Sequence, residues 1–502
     1  MLLGVLRNPV RLGGHTRSTL QACRFLHVSP ASNTALRSQW TTCRSTLLAA
    51  SSKASSAPVK ILSSLPKSLP FRTTSARLLH SSAPKSNSTA TASETTATTT
   101  ETLPILPSPA VGRWLLLSSV LVLAIIVVGG VTRLTESGLS ITEWRPITGV
   151  LPPLSHAEWM VEFEKYKATP EFKLMNHSIS LDDFKSIFYM EWGHRILGRL
   201  IGIVFVGPLA YFALRKQIPK SLTLKLTGLG LLIGAQGALG WYMVKSGLEE
   251  SLMDTPGATP RVSQYRLASH LGLAFLLYLG MFGTGMGVIK DLKFSKGKAW
   301  VGLTEEAIQK VLTNPKLASF RRQAWAITGL VFLTALSGAF VAGLDAGLVY
   351  NEFPLMGGRL APPTDELFSA EYAKNPDKSD IWWRNIFENP TTVQFDHRVL
   401  ATTTYFATAL LYARTFNPVL RAALPPLTRM ATMAAFAMAN VQVVLGISTL
   451  LYLVPVPLAA AHQAGSVMLL SAMVHLLITM RRPGAAARAW RSFLANSSKP
   501  KP

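Results

Sequence analysis

Eight apolar stretches, each close to the length a helix needs to cross a bilayer, constrain this chain more than any other feature. They run over residues 114–131, 196–214, 222–244, 267–289, 325–342, 399–412, 430–453 and 458–480. A spanning helix needs about 20 predominantly apolar residues, and inside the bilayer it must satisfy its own backbone hydrogen bonds. The expected fold class is therefore an all-α membrane protein with eight transmembrane helices. The stretch at 399–412 is the weakest, being short and rich in Thr. The last two are separated only by a Pro-containing turn at 454–457. Composition agrees, since 15% of residues are charged, against about a quarter in soluble chains.

The net charge of +24 could suggest a nucleic-acid partner, but its distribution argues otherwise. Twelve Lys and Arg residues are scattered through the first 85 positions, and the first acidic residue is Glu94. A basic, hydroxylated, acid-poor N-terminus without a spanning stretch has the character of a mitochondrial transit peptide. The alternative is a disordered basic arm for nucleic acid or anionic lipid. The transit reading is preferred because everything downstream is membrane-spanning, so no nucleic-acid partner is expected. Residues 1–85 are assigned to the transit peptide and 86–109, rich in Thr and Ser, to a disordered linker. Cys23 and Cys43 both fall in the removed segment. A mature chain without cysteine excludes thiolate, disulfide and iron–sulfur chemistry, and any metal or haem must be held by His or another non-thiolate group.

Basic residues set the orientation. Arg215, Lys216 and Lys220, then Lys290, Lys293, Lys296 and Lys298, then Arg414, Arg421 and Arg429, then Arg481, Arg482, Arg488 and Arg491 all fall on one side of an eight-span arrangement. That side is expected to be the matrix, with both termini on it.

The two four-span halves resemble each other. GLSITEWRPITGVLPP follows the first span and GLVYNEFPLMGGRLAPP the fifth; EWGHR opens the second span and QFDHR the sixth. Gln236 and Gln442 lie in the third and seventh spans, and ASH and AAH open the fourth and eighth. An even number of spans per half returns the chain with the same polarity, so equivalent residues share one depth about a pseudo-two-fold along the membrane normal. The expected division is 110–290 for the N-terminal four-helix half, 291–322 for a matrix linker, 323–482 for the C-terminal half and 483–502 for a basic tail.

His194, His270, His397 and His462 stand at the starts of the even-numbered spans, on the side away from the matrix. Ionisable residues in a membrane segment are costly and mark function by default. Two imidazoles per half, on different helices, suit a haem iron. Interfacial histidines bonded to loop carbonyls are the bland alternative, and zinc, which would need carboxylates to complete a tetrahedral site, ranks below haem. Arg195 and Arg398 are placed to meet haem propionates or interfacial phosphates. Glu191 lies three residues before His194 and can share its helix face, whereas Gln394 holds the equivalent place in the second half. This asymmetry suggests chemistry in the first half, with Glu191 stabilising positive charge or moving protons. A structural salt bridge from Glu191 to Arg195 or Arg199 is the competing reading. His475 is expected to be a hydrogen-bonded core residue, and His156 and His177 carry no clear signal.

This constellation over residues 110–482 resembles haem A synthase of the mitochondrial and alphaproteobacterial type, which lacks the outer-loop cysteine pair of some bacterial members. The resemblance implies oxidation of one ring methyl of haem O to the formyl group of haem A, for cytochrome c oxidase. It implies that His194 and His270 hold the substrate haem, with Glu191 as the key acid, and that His397 and His462 hold a permanent haem b. Implied partners are a ferredoxin-type electron donor, haem O synthase and cytochrome c oxidase assembly factors; self-association is left open. Two other classes remain in view: a bis-histidine dihaem electron-transfer cytochrome, and a haem carrier or assembly chaperone.

Overall fold

The computed structural model describes residues 103–145, 148–149, 151–250, 260–298, 309 and 313–497. The transit-peptide and linker assignments, with both cysteines, lie outside or at the very edge of the described residues. Fourteen α-helices are described: α1 (Pro109–Leu134), α2 (His156–Lys167), α3 (Pro170–Leu174), α4 (Leu181–Leu214), α5 (Lys220–Gly247), α6 (Gln264–Ser295), α7 (Pro315–Gly343), α8 (Thr364–Leu367), α9 (Ile381–Glu388), α10 (Pro390–Arg414), α11 (Pro418–Ala423), α12 (Pro426–Leu451), α13 (Val456–Thr479) and α14 (Ala485–Ser497). Among the described residues there is no strand, only an isolated bridge between Met356 and Arg359.

Seven of these helices, α1, α4, α5, α6, α7, α12 and α13, are long and apolar enough to cross a membrane. The stretch expected as a further span forms α10, a helix of 25 residues that is not among these seven. It falls short on composition because Thr391, Thr392, Thr402, Thr403, Thr404 and Thr408 dilute its apolar residues. Five of the long helices, α1, α7, α10, α12 and α13, place Pro in the first turn, where its missing N–H belongs to a donor left free anyway.

The faces are arranged as lipid requires. Leu117, Ile203, Leu231, Phe406, Met433 and Val444 are exposed, which in water would be an adhesive surface. Buried hydroxyls turn back onto their own helices instead: Ser118 donates to the Trp114 carbonyl (3.0 Å), Thr328 to Ala324 (2.7 Å) and Thr432 to Thr428 (2.8 Å). Such bonds let small polar residues occupy helix interfaces where no water can satisfy them.

The packing repeats along the chain. In the first half α1 packs against α4 and α6, and α5 against α4 and α6; in the second α7 packs against α10 and α13, and α12 against α10 and α13. The halves join where α6 meets α7 and α13 meets α1. One aliphatic and aromatic core lies in each half, around Phe205 and Phe275 in the first and Phe320 and Met473 in the second.

A third core sits outside the apolar zone. Helix α4 has 34 residues, about 51 Å at ~1.5 Å per residue, well beyond the ~30 Å of hydrocarbon. Its first turns, started by a Ser180–Asp183 capping box, pack Phe184 and Phe188 against Trp159, Phe163 and Tyr166 of α2. The loop between the first two spans is thus a small aromatic-cored cap, and it sits beside the start of the membrane portion of α4, where His194 lies.

Candidate functional site

The four histidines come together as two pairs. His397 of α10 and His462 of α13 have ring centroids 6.4 Å apart with planes at 87°. His194 of α4 and His270 of α6 lie within electrostatic range of each other. His270 and His462 occupy the same place in their helices, six residues after Gln264 and Val456 respectively.

Each imidazole lies over a glycine of a neighbouring helix. A Cβ at Gly129 would stand 3.1 Å from His194, at Gly240 3.7 Å from His270, at Gly338 3.4 Å from His397 and at Gly446 2.8 Å from His462. Gly129 and Gly338 occupy equivalent places in the first and fifth spans, and Gly240 and Gly446 stand four residues after the paired glutamines. The glycines open the room in which a ring can turn toward its partner.

The glutamines hold the backbone of the fourth and eighth spans. Gln236 Nε2 donates to the His270 carbonyl at 3.0 Å and Gln442 Nε2 to the His462 carbonyl at 2.9 Å. Gln442 Nε2 also lies 3.1 Å from His462 Nδ1, and Ser337 Oγ lies 2.7 Å from His397 Nδ1. In the first half His270 Nδ1 is buried without a hydrogen-bond partner.

The arginines and Glu191 form a clamp on the outer loop. Arg195 Nη2 donates to Glu191 Oε1 at 2.6 Å and to the Ile141 carbonyl at 2.9 Å, and Nη1 donates to the Glu143 carbonyl at 3.0 Å. Glu191 Oε2 accepts from Ser140 Oγ at 2.7 Å and from the Ile141 N–H at 2.8 Å. The competing sequence reading of Glu191, a salt bridge to Arg195, is therefore present, with both side chains largely buried. In the second half Arg398 donates to the Tyr350 and Leu355 carbonyls at 2.9 and 3.0 Å, and Gln394 Nε2 to the Tyr350 carbonyl at 3.1 Å. Both guanidiniums spend donors on loop carbonyls, a use that spacing alone did not reveal.

Beside the clamp lies Glu171 of α3, a residue that no motif singles out. It is buried, its Oε2 has no hydrogen-bond partner, and it pairs with the buried phenol of Tyr166, which accepts from Asn176 Nδ2 at 2.9 Å. Burial, reinforced by the charges of Glu191 and Glu136, pushes its carboxyl up to about 8. His156 and His177 are exposed in the same cap. His475, half-buried on α13, lies within electrostatic range of Lys290 and apart from both pairs.

The donor set fits haem better than zinc. Among the described residues no group of three or more His, Cys, Asp or Glu side chains could share one metal ion, whereas a haem iron asks the protein for only one or two axial ligands. In the second half His397 and His462, with ring centroids 6.4 Å apart, are the residues that would hold such a group.

Fold and site together define a multi-pass helical membrane protein with two half-buried imidazole pairs at matching places along the chain. The chain belongs to the COX15-CtaA family of cytochrome oxidase assembly proteins, which it matches over residues 112–474. Among its relatives is the heme A synthase COX15 of Saccharomyces cerevisiae, 46% identical over 394 residues that cover 78% of this chain and 79% of the relative. The human heme A synthase COX15 is 46% identical over 381 residues, covering 75% and 85%. A heme A synthase–mitochondrial ferredoxin fusion protein of Schizosaccharomyces pombe is 47% identical over 397 residues. Those residues are 78% of this chain but only 64% of the longer fusion.

Proposed function

We infer that this chain is a haem A synthase of the mitochondrial membrane, oxidising a ring methyl of haem O to the formyl group of haem A. The observation that carries the assignment is the two half-buried imidazole pairs, each ring seated on a glycine, in a chain with the family membership above. His194 and His270 hold the substrate haem O, and His397 and His462 hold a resident haem b. The repeated packing of α1, α4, α5 and α6 by α7, α10, α12 and α13 supports two pseudo-symmetric four-helix halves, with α10 as the eighth span. Residues 110–290 form the substrate half and 323–482 the haem b half. The basic loops favour a reading with both termini in the matrix and the haem sites toward the intermembrane space.

Bound haem b supplies electron transfer; the chain does the rest. Glycine clefts orient the imidazoles. The Glu191–Arg195 clamp ties Ser140, Ile141 and Glu143 to α4 beside His194, which positions the outer loop. A carboxylate at Glu191 supplies an anionic group near the first pair, and Gln394 cannot do the same in the second half. A ferredoxin-type electron donor is supported by the covalent ferredoxin in the S. pombe relative. Haem O synthase is the expected supplier, and cytochrome oxidase assembly the expected consumer.

The test is to load the purified protein with haem O, reductant and oxygen and to identify the extracted haems by mass and spectrum. Haem A or its hydroxylated precursor is expected from the natural chain, with turnover stalled in Glu191→Gln and in His397→Ala. Unchanged haem O beside two retained b-type haems would make the protein an electron-transfer cytochrome instead.

A further inference from the structure

The halves differ in what stands behind their imidazoles. Ser337 Oγ lies 2.7 Å from His397 Nδ1, and the same hydroxyl reaches the Thr334 carbonyl at 2.8 Å. A carbonyl can only accept, so the hydroxyl proton is committed to Thr334 and Oγ presents a lone pair to the ring. The Thr334 carbonyl also faces this edge of the imidazole. With acceptors alone on that side, Nδ1 carries the proton and Nε2 is left as the free ligating nitrogen. In the first half the place of Ser337 is taken by Val128, immediately before Gly129 as Ser337 is before Gly338. Valine offers no acceptor to His194, the counterpart of His397, and on the facing helix the Nδ1 of His270 is buried without a hydrogen-bond partner.

We propose that Ser337 is a positioning residue for the resident haem: by accepting the Nδ1–H of His397 it selects the ligating tautomer and strengthens Nε2 as a donor to ferric iron, a device that the Val128 half lacks. The inference rests on the haem b assignment to the second half. Partners behind a metal-bound histidine fix ring orientation and raise ligand basicity, and their loss typically changes metal affinity about 10- to 100-fold. A histidine held in this way grips its haem permanently. A site whose His270 has no such partner binds more loosely, as suits one that must take in haem O and release haem A.

The experiment is a potentiometric titration of the resident haem in the full-length protein purified in detergent, followed by its visible spectrum. The natural chain is compared with Ser337→Ala, Ser337→Thr and His397→Ala. Ser337→Ala is expected to favour ferrous over ferric haem about tenfold, a rise in midpoint potential of about 59 mV for one electron. Ser337→Thr, which keeps the acceptor, should titrate with the natural chain. Loss of haem from Ser337→Ala with retention in Ser337→Thr is the same result at larger amplitude. An unchanged midpoint in Ser337→Ala, or equal displacement in Ala and Thr, would refute the role of the hydroxyl. If His397→Ala removes no haem, the haem b reading itself fails, an outcome distinct from the other two.

Discussion

Replacing Glu191 tests whether the clamp beside His194 behaves as one unit. Its carboxylate accepts three hydrogen bonds, from Ser140 Oγ, the Ile141 N–H and Arg195 Nη2. The side chains of Glu191 and Arg195 are 4% and 13% exposed. Glu191→Ala leaves a largely buried guanidinium without its anion, and breaking such a pair costs about 3–5 kcal/mol. Glu191→Gln is milder, about 1–3 kcal/mol, because one amide oxygen still accepts while its NH2 now faces a donor. The Ile141 amide reports the change directly, since its proton is held by the carboxylate. At ~1.4 kcal/mol per tenfold, a local loss of about 3 kcal/mol speeds hydrogen exchange in residues 140–143 roughly a hundredfold. Glu191→Gln combined with Arg195→Gln removes both charges, and its effect should fall short of the summed single effects by about 1 kcal/mol or more. Exchange in this segment that stays within threefold of the natural chain for Glu191→Ala, or strictly additive single effects, would show that the clamp carries no energy. Glu191 would then have to act on the chemistry alone.

Three further outcomes follow from the same geometry. The Glu171 carboxyl stands near 8 in the folded protein against 4.5 as its ordinary value. Its burial therefore costs nothing below about pH 4.5 and destabilises the cap progressively as pH rises toward 8, by an amount on the order of 5 kcal/mol at the upper end. Thermal unfolding from pH 5 to 8.5 should show this slope in the natural chain and a flatter profile in Glu171→Gln. Gly446→Ala puts a methyl 2.8 Å from His462 Cε1, so the purified variant should lose most of its second-half haem absorbance, whereas Gly207→Ala, with open space around it, should not. Asp345 joins Arg133 of α1 at 2.9 Å and Arg261 at 3.0 Å. Being 40% exposed, it should cost no more than about 1 kcal/mol when changed to Asn, measured as a small shift in detergent unfolding midpoint.

Much of the plan was legible before any coordinates. The spans follow from runs of about 20 apolar residues, because a bilayer leaves the backbone few other ways through. The pairing of His194 with His270 and of His397 with His462 follows from the repeat, because four spans return the chain at the same depth. The apolar test that α10 fails was foreshadowed by its threonines. What stayed hidden was which way each helix faces. In water, a helix shows its buried side as an apolar stripe. In a bilayer both sides are apolar, so periodicity carries little of that information, and the lipid-facing Leu231 and the buried Leu226 of α5 look alike in sequence.

Residue identity thus determined an all-helical, multi-pass architecture, the motifs repeated along the chain and the absence of cysteine after residue 43. It also determined the presence of four imidazoles at matched places. Only the tertiary structure decided their surroundings. It set Gly129, Gly240, Gly338 and Gly446 beneath the rings, turned Arg195 and Arg398 onto loop carbonyls, buried Glu171 beside the clamp, and brought Ser337 to His397 across 60 positions of chain. The reason is physical. Hydrophobicity acts through the summed burial of many side chains and survives in a linear pattern, whereas a hydrogen bond or a methyl-sized gap depends on the crossing of two helices to within a few tenths of an ångström.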